Sequence, residues 1–251
     1  LAYRVQSSFL PQATPSYEGW EFGTRWIPAR EVAGDFFDFF PVGDAEVGIV
    51  IADVADKGIA SALFMASCRS IIRGSMLRAS SPQEGIHSAN RLICADASDG
   101  NFLTLFYAQL NPGTGEMRYV NAGHNPPLLF RSAADALQKL TLTGMALGVM
   151  EQTDYEQETL RMQPGDALVL YTDGITEARD PDGIMFGEER LLEVAQEAQG
   201  CAAWEIQEAL LDKIHGFVGD APRLDDITLM VLAMECAPEM TDLAEDNVLD
   251  R

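Results

Sequence analysis

Short apolar runs of four to eight residues, bounded by Gly, Pro or Asp, recur along the whole chain, and runs of that length make strands. Trp20–Ile27, Asp35–Phe40 and Val47–Asp53 read as three strands joined by short turns. Thr104–Leu110 and Met117–Asn121 flank the hairpin turn Asn111-Pro112-Gly113-Thr114-Gly115. Leu128–Phe130, Ala167–Thr172 and Ile227–Met234 complete the set. Longer stretches with helical spacing lie between them. Ile59–Ala79 repeats apolar residues at Leu63, Ala66, Ile71 and Met76, and Pro82–Ala97 begins with Ser81 as N-cap and Glu84 closing a capping box. Glu188–Gln199 and Ala202–Phe217 are two more helices. Grouped strands with hairpins, followed by helices, argue an α+β chain with mainly antiparallel sheets.

The charge balance narrows the partners. Seventeen Lys and Arg against 39 Asp and Glu leave a formal net charge of −22, which repels nucleic acid. An apolar fraction of 47%, with aromatic residues spread throughout, excludes a disordered acidic tail and permits one sizeable core. No apolar run approaches the roughly 18 residues of a membrane span, so no membrane contact is expected from this segment. Leu1–Leu10 holds Arg4, Gln6, Ser7 and Ser8 and does not read as a signal peptide. Cys68, Cys94, Cys201 and Cys236 form no CxxC pair and read as thiols of a reducing, cytoplasmic compartment. With His87, His124 and His215 also scattered, a His/Cys metal site is not expected. The chain starts at Leu1 without Met, and the expected layout is a helix or linker over 1–14, one domain over 15–236 and an acidic tail over 237–251. The amphipathic set Leu1, Val5, Phe9 and Leu10 suggests that the first segment continues from an upstream sensor domain, through which the full-length protein could be membrane-anchored.

The informative feature is where aspartates sit. Gly48–Ala52 ends in Asp53, Ala167–Thr172 ends in Asp173, and Asp225-Asp226 immediately precedes Ile227–Leu232. Asp35 and Asp38 are interleaved with Phe36, Phe37, Phe39 and Phe40. A carboxylate at the mouth of a buried strand loses hydration and must be paired, hydrogen-bonded or metal-bound. A hard divalent cation such as Mg²⁺ or Mn²⁺ would relieve several at once. Taken singly, each reads as a turn or cap residue, as Asp173-Gly174 illustrates, but four apolar runs meeting Asp in the same manner weaken that reading.

Five blocks carry a resemblance. They are Glu31-Val32-Ala33-Gly34-Asp35-Phe36-Phe37-Asp38, Ala52-Asp53-Val54-Ala55-Asp56-Lys57-Gly58, Asn121-Ala122-Gly123-His124-Asn125-Pro126-Pro127, Tyr171-Thr172-Asp173-Gly174-Ile175-Thr176-Glu177-Ala178 and Asp225-Asp226-Ile227-Thr228. In this order, from about Arg4 to Met234, they resemble the bacterial metal-dependent protein phosphatases of the PPM family, in the sporulation stage II E and stress-response branch. The resemblance implies an αββα sandwich with a metal site at one end of two antiparallel sheets. It implies hydrolysis of phosphoserine or phosphothreonine in a regulatory protein, such as a STAS-type anti-sigma-factor antagonist, with two or more Mn²⁺ or Mg²⁺ ions. Asp53 is then the residue bridging two metals, with the Val54 carbonyl beside it; Asp173 and Asp225 serve the second cation, and Asp35 and Asp38 the first. Asp53 and Asp173 are the catalytic pair, acting through the cations. Asp226 competes with Asp225, because the doubled Asp leaves the alignment open.

Other assignments follow from the same comparison. Arg30 and Lys57 are candidate phosphate contacts, with a surface role as the alternative for Arg30. No His lies in Glu31–Gly58, so the general acid is unassigned. His124 reads as a loop hydrogen-bonder and Glu177 as a residue holding its loop. Gly34, Gly58 and Gly174 are expected where backbones approach closely or φ is positive. The competing functions are a pseudo-phosphatase that only binds its partner, and phosphoryl chemistry on a small molecule in an enclosed pocket. A homodimer is a further possibility that the resemblance raises.

Overall fold

The computed structural model describes residues 2–97, 100–134, 136–198 and 200–236. The acidic tail expected over 237–251 lies outside the described residues. Two five-stranded antiparallel sheets form the centre. One has the order β1 (Trp20–Ile27), β10 (Ile227–Met234), β9 (Ala167–Tyr171), β6 (Leu128–Arg131), β7 (Ala136–Lys139). The other runs β2 (Phe36–Val42), β3 (Glu46–Val54), β4 (Leu103–Leu110), β5 (Glu116–Ala122), β8 (Glu158–Arg161). Helices α2 (Ile59–Met76) and α3 (Pro82–Asp96) pack on the second sheet, and α5 (Gly187–Glu197) and α6 (Ala203–Val218) belong to the first. This is the expected αββα sandwich.

Alternation explains why the central strands are apolar on both faces. Met230 and Leu232 of β10 join Leu168 and Leu170 of β9 in the core shared with Phe36, Ile49, Ile51 and Phe106 of the second sheet. Their neighbours Leu229, Val231, Val169 and Tyr171 point the other way, onto Leu191, Ile206, Leu210 and Ile214 of α5 and α6. Each residue of these strands therefore has a layer to bury itself in, which is what a continuous apolar run encodes.

The expected helix over Ile59–Ala79 ends at Met76. Ser81 caps α3 as expected, its Oγ accepting from the Glu84 amide at 3.2 Å. Glu84 does not reach back to Ser81 as a capping box requires. Its carboxylate accepts from the Ser80 amide and hydroxyl, one residue earlier. Within the expected 1–14 segment, α1 covers Ala2–Ser7. The one-turn helix α4 (Asp173–Thr176) and the edge strands β7 and β8 have no counterpart in the expected elements. Among the described residues, no helix is long and apolar enough to cross a membrane.

Candidate metal centre

Three loops meet at one end of the sandwich: the turn after β3, the β9–α4 junction, and the residues just before β10. They enclose a cleft of about 280 Å³ lined by Asp53, Val54, Ala55, Asp56, Lys57, Phe102, Thr104, Asp173, Asp225 and Asp226. The turn after β3 is tight because Asp56 (φ 73°) and Gly58 (φ 104°) both lie in the left-handed region. Gly174 packs so closely on the β10 loop that a Cβ there would lie 1.8 Å from the Asp226 carbonyl oxygen. A larger cavity of about 430 Å³, lined in part by Glu177, adjoins the cleft beyond α4 and shares Asp225 with it.

Asp35 is 2% exposed and joins the two sheets. Its Oδ2 accepts from the Thr172 hydroxyl at 2.7 Å and the Thr228 hydroxyl at 2.8 Å. It also shares a hydrogen bond with Asp53. Burial, then the charge of Asp53, hold its carboxyl well above the ordinary range despite the two hydroxyls. Asp53 is pushed up to about 7, chiefly by burial, then by the Asp173 charge. Asp173 is pushed up to about 6 by burial, then by Asp225. Carboxylate oxygens of Asp173, Glu177 and Asp225 all lie within 4.8 Å of one another. Five carboxylates so arranged repel one another, and a divalent cation would supply the missing positive charge to a set of oxygen donors of the kind it favours.

The doubled Asp divides its roles. Asp226 is buried and spends both oxygens on the facing loop: Oδ1 accepts from the Ala29 amide at 2.7 Å and Oδ2 from the Gly34 amide at 2.9 Å. Asp225 instead faces the cleft, where Lys57 Nζ approaches its Oδ2 at 2.5 Å. Lys57 also donates to the Leu224 carbonyl at 2.8 Å, so its present partners are protein oxygens. Arg30 is exposed on the loop that holds Asp226.

The structure does not bring Asp38 to this cluster. Its Oδ2 lies 3.0 Å from Arg69 and 3.4 Å from Arg73 on α2, and the carboxylate is 2% exposed. Burial raises its pKa, and the two guanidiniums oppose that rise. Glu177, given a loop-holding role above, is in the cluster: α4 is a single turn, so Asp173 and Glu177 at i and i+4 share a face. His124 is buried behind the cleft with Nδ1 2.8 Å from the Thr104 hydroxyl, and burial lowers its pKa to about 4, keeping it neutral.

A pH effect follows for the metal-free chain. Asp53 and Asp173 titrate above their unfolded values near 4, so between about pH 4 and 7 the folded chain binds more protons than the unfolded one. Stability then increases as pH falls from about 7, and it is lost again as pH rises through the folded values. Melting curves in EDTA at pH 7.5 and 5.5 are expected to show the higher midpoint at 5.5, with the gain reduced in Asp53→Asn; a lower midpoint at 5.5 would contradict the crowding of these carboxyls.

Known proteins are similar to this chain in sequence or in fold. Protein IcfG of Synechocystis sp. is 31% identical over 256 residues, covering 91% of this chain and 40% of IcfG. Phosphoserine phosphatase RsbU of Bacillus subtilis is 32% identical, covering 92% of this chain and 68% of RsbU. The chain thus spans less than half of the first of these relatives and about two thirds of the second. The SiaA-PP2C domain of Pseudomonas aeruginosa superposes with a TM-score of 0.82 at 20% identity, over 93% of this chain and 94% of that one. The family model for stage II sporulation protein E matches residues 43–235. With most of the chain inside that match, it belongs to the SpoIIE family of PP2C-type phosphatase domains.

Proposed function

We propose that the chain is a divalent-metal-dependent hydrolase of phosphoserine or phosphothreonine in a regulatory protein. The observation that carries the reading is the convergence of Asp53, Asp173, Glu177 and Asp225 around one cleft beside the buried Asp35. Their donor set is all oxygen, which fits Mn²⁺ or Mg²⁺ and fits no soft metal. Two such ions held there would lower the pKa of a water and shield the phosphoryl oxygens. Asp53, with the Val54 carbonyl, stands between the Asp35 side of the cleft and the Asp173–Asp225 side, so it is assigned the bridging position. Asp225 is assigned as ligand, because its carboxylate lies with those of Asp173 and Glu177, whereas the oxygens of Asp226 are turned to amides of the facing loop. Asp38, held by two arginines, is assigned to the fold instead. A cation held by Asp225 would free Lys57 to contact phosphate, and Arg30 stands exposed on the neighbouring loop.

The mouth of the cleft is open: Asp56, Lys57 and Phe102 are exposed, as entry of a phosphorylated side chain on a folded protein requires. The name phosphoserine phosphatase belongs to RsbU, and a STAS-type antagonist is the corresponding substrate here. Residues 15–236 are the proposed catalytic unit, working in the cytoplasm under an upstream sensor domain, with dimerisation as one means of control. The test is phosphate release with Mn²⁺ from a serine-phosphorylated STAS protein and, in parallel, from small phosphate monoesters. Faster turnover of the protein is expected. Tight binding of that protein without any release would favour the pseudo-phosphatase, and faster turnover of a small ester would favour small-molecule chemistry.

A further inference from the structure

Helix α1 is exposed along Ala2–Val5, yet Gln6 in its last turn is 4% exposed. Its side chain makes a reciprocal pair with the backbone of Ala33: Nε2 donates to the Ala33 carbonyl at 2.7 Å, and Oε1 accepts from the Ala33 amide at 2.9 Å. An amide side chain is here completing a backbone that no strand completes. A second contact lies one turn earlier, where the Tyr3 ring stacks on Trp26 at 5.7 Å and 22°. Trp26 Nε1 in turn donates to the Asp35 carbonyl at 3.0 Å.

Both contacts end on the same loop, and that loop builds one wall of the cluster. Ala33 precedes Gly34, whose amide holds Asp226, and Gly34 precedes Asp35, which meets Asp53. Gly34 also lies against Val54, since a Cβ on it would be 2.9 Å from the Val54 carbonyl oxygen. The seating of α1 therefore bears on Asp35, Asp226 and Val54 together.

We propose that Gln6 is a positioning residue for the metal cluster, with Trp26 as its second tether: α1 docked through them fixes the loop that aims Asp35, and α1 released lets that loop relax. This rests on the metal reading above. Groups that orient ligands from behind are typically worth about tenfold to a hundredfold in metal affinity. The alternative is a purely structural Gln6 that satisfies a buried loop, and metal affinity separates the two.

The experiment is Mn²⁺ titration calorimetry on the chain and on Gln6→Ala and Trp26→Phe, with phosphate release measured at low and saturating Mn²⁺. Gln6→Ala is expected to weaken Mn²⁺ binding about tenfold. Its activity should fall at low Mn²⁺ and return at saturation, with substrate KM unchanged. Trp26→Phe keeps a ring for Tyr3 and removes the N–H that bonds Asp35, together with part of the indole's packing, so a smaller shift in the same direction is expected; it decides alone if Gln6→Ala does not fold. Unchanged Mn²⁺ affinity in a variant that is merely less heat-stable would overturn the proposal, as would a loss of kcat that saturating Mn²⁺ does not restore. No Mn²⁺ binding by the unsubstituted chain would instead overturn the metal reading itself, and this proposal with it.

Discussion

Asp53→Asn is expected to reduce phosphate release about a thousandfold, since a metal centre contributes on the order of 4 kcal/mol to a phosphoryl-transfer barrier and each 1.4 kcal/mol is tenfold. The amide keeps the shape of the side chain but offers one neutral oxygen where two charged ones stood. It also relieves crowding: Asp53 is raised to about 7 by burial and by Asp173, and removing its charge removes a repulsion. The same substitution should therefore leave the metal-free chain at least as heat-stable as before. Loss of activity with retained or increased stability is the signature of a residue kept for chemistry. EDTA on the unsubstituted chain should reproduce the loss, reversibly on adding Mn²⁺. Activity within about tenfold of the original in Asp53→Asn would refute its bridging role.

Gly174→Ala is expected to do comparable damage by a different route. The added Cβ would fall 1.8 Å from the Asp226 carbonyl oxygen, so α4 and the loop before β10 must part. Asp173 lies next to it on α4, and Asp225 and Asp226 lie on the other side of that contact. Overpacking of this kind costs about 1–3 kcal/mol or more in stability. A displacement of about 1 Å between catalytic groups can lower rates about a hundredfold. Thermal melting and phosphate release on the same preparation check both expectations. A variant as stable and as active as its parent would mean that the approach of α4 to β10 does not set the cluster.

The core of the fold was legible because every central strand is buried on both faces, so Val47–Asp53, Ala167–Thr172 and Ile227–Met234 stand out as apolar runs. The polar edges were not. β7 and β8 are mostly exposed, and a short edge strand leaves little alternation to read. The same logic applies to the site. Asp53, Asp173 and Asp225 announce themselves as charges at the ends of those runs, and the structure gathers them around one cleft. Asp38 carried the same signal and a contrary one: it lies three residues from Asp35, and odd spacing along a strand points side chains to opposite faces. Its partners Arg69 and Arg73 lie on α2, more than thirty residues further on, so their pairing needed the packed helix to be seen. The split between Asp225 and Asp226 is likewise tertiary, fixed by amides of Ala29 and Gly34 from near the other end of the chain. Glu177 could have been found by helical spacing alone, had the single turn of α4 been recognised after Asp173.

Crystals soaked in Mn²⁺ and measured at the manganese absorption edge test the central claim most directly. Two anomalous peaks are expected, both within coordination distance of Asp53 and one of them shared with Asp173 and Asp225, leaving Asp226 on its amides. Manganese found elsewhere on the molecule, or seated on Asp38 with the Asp53 cleft unfilled, would contradict it.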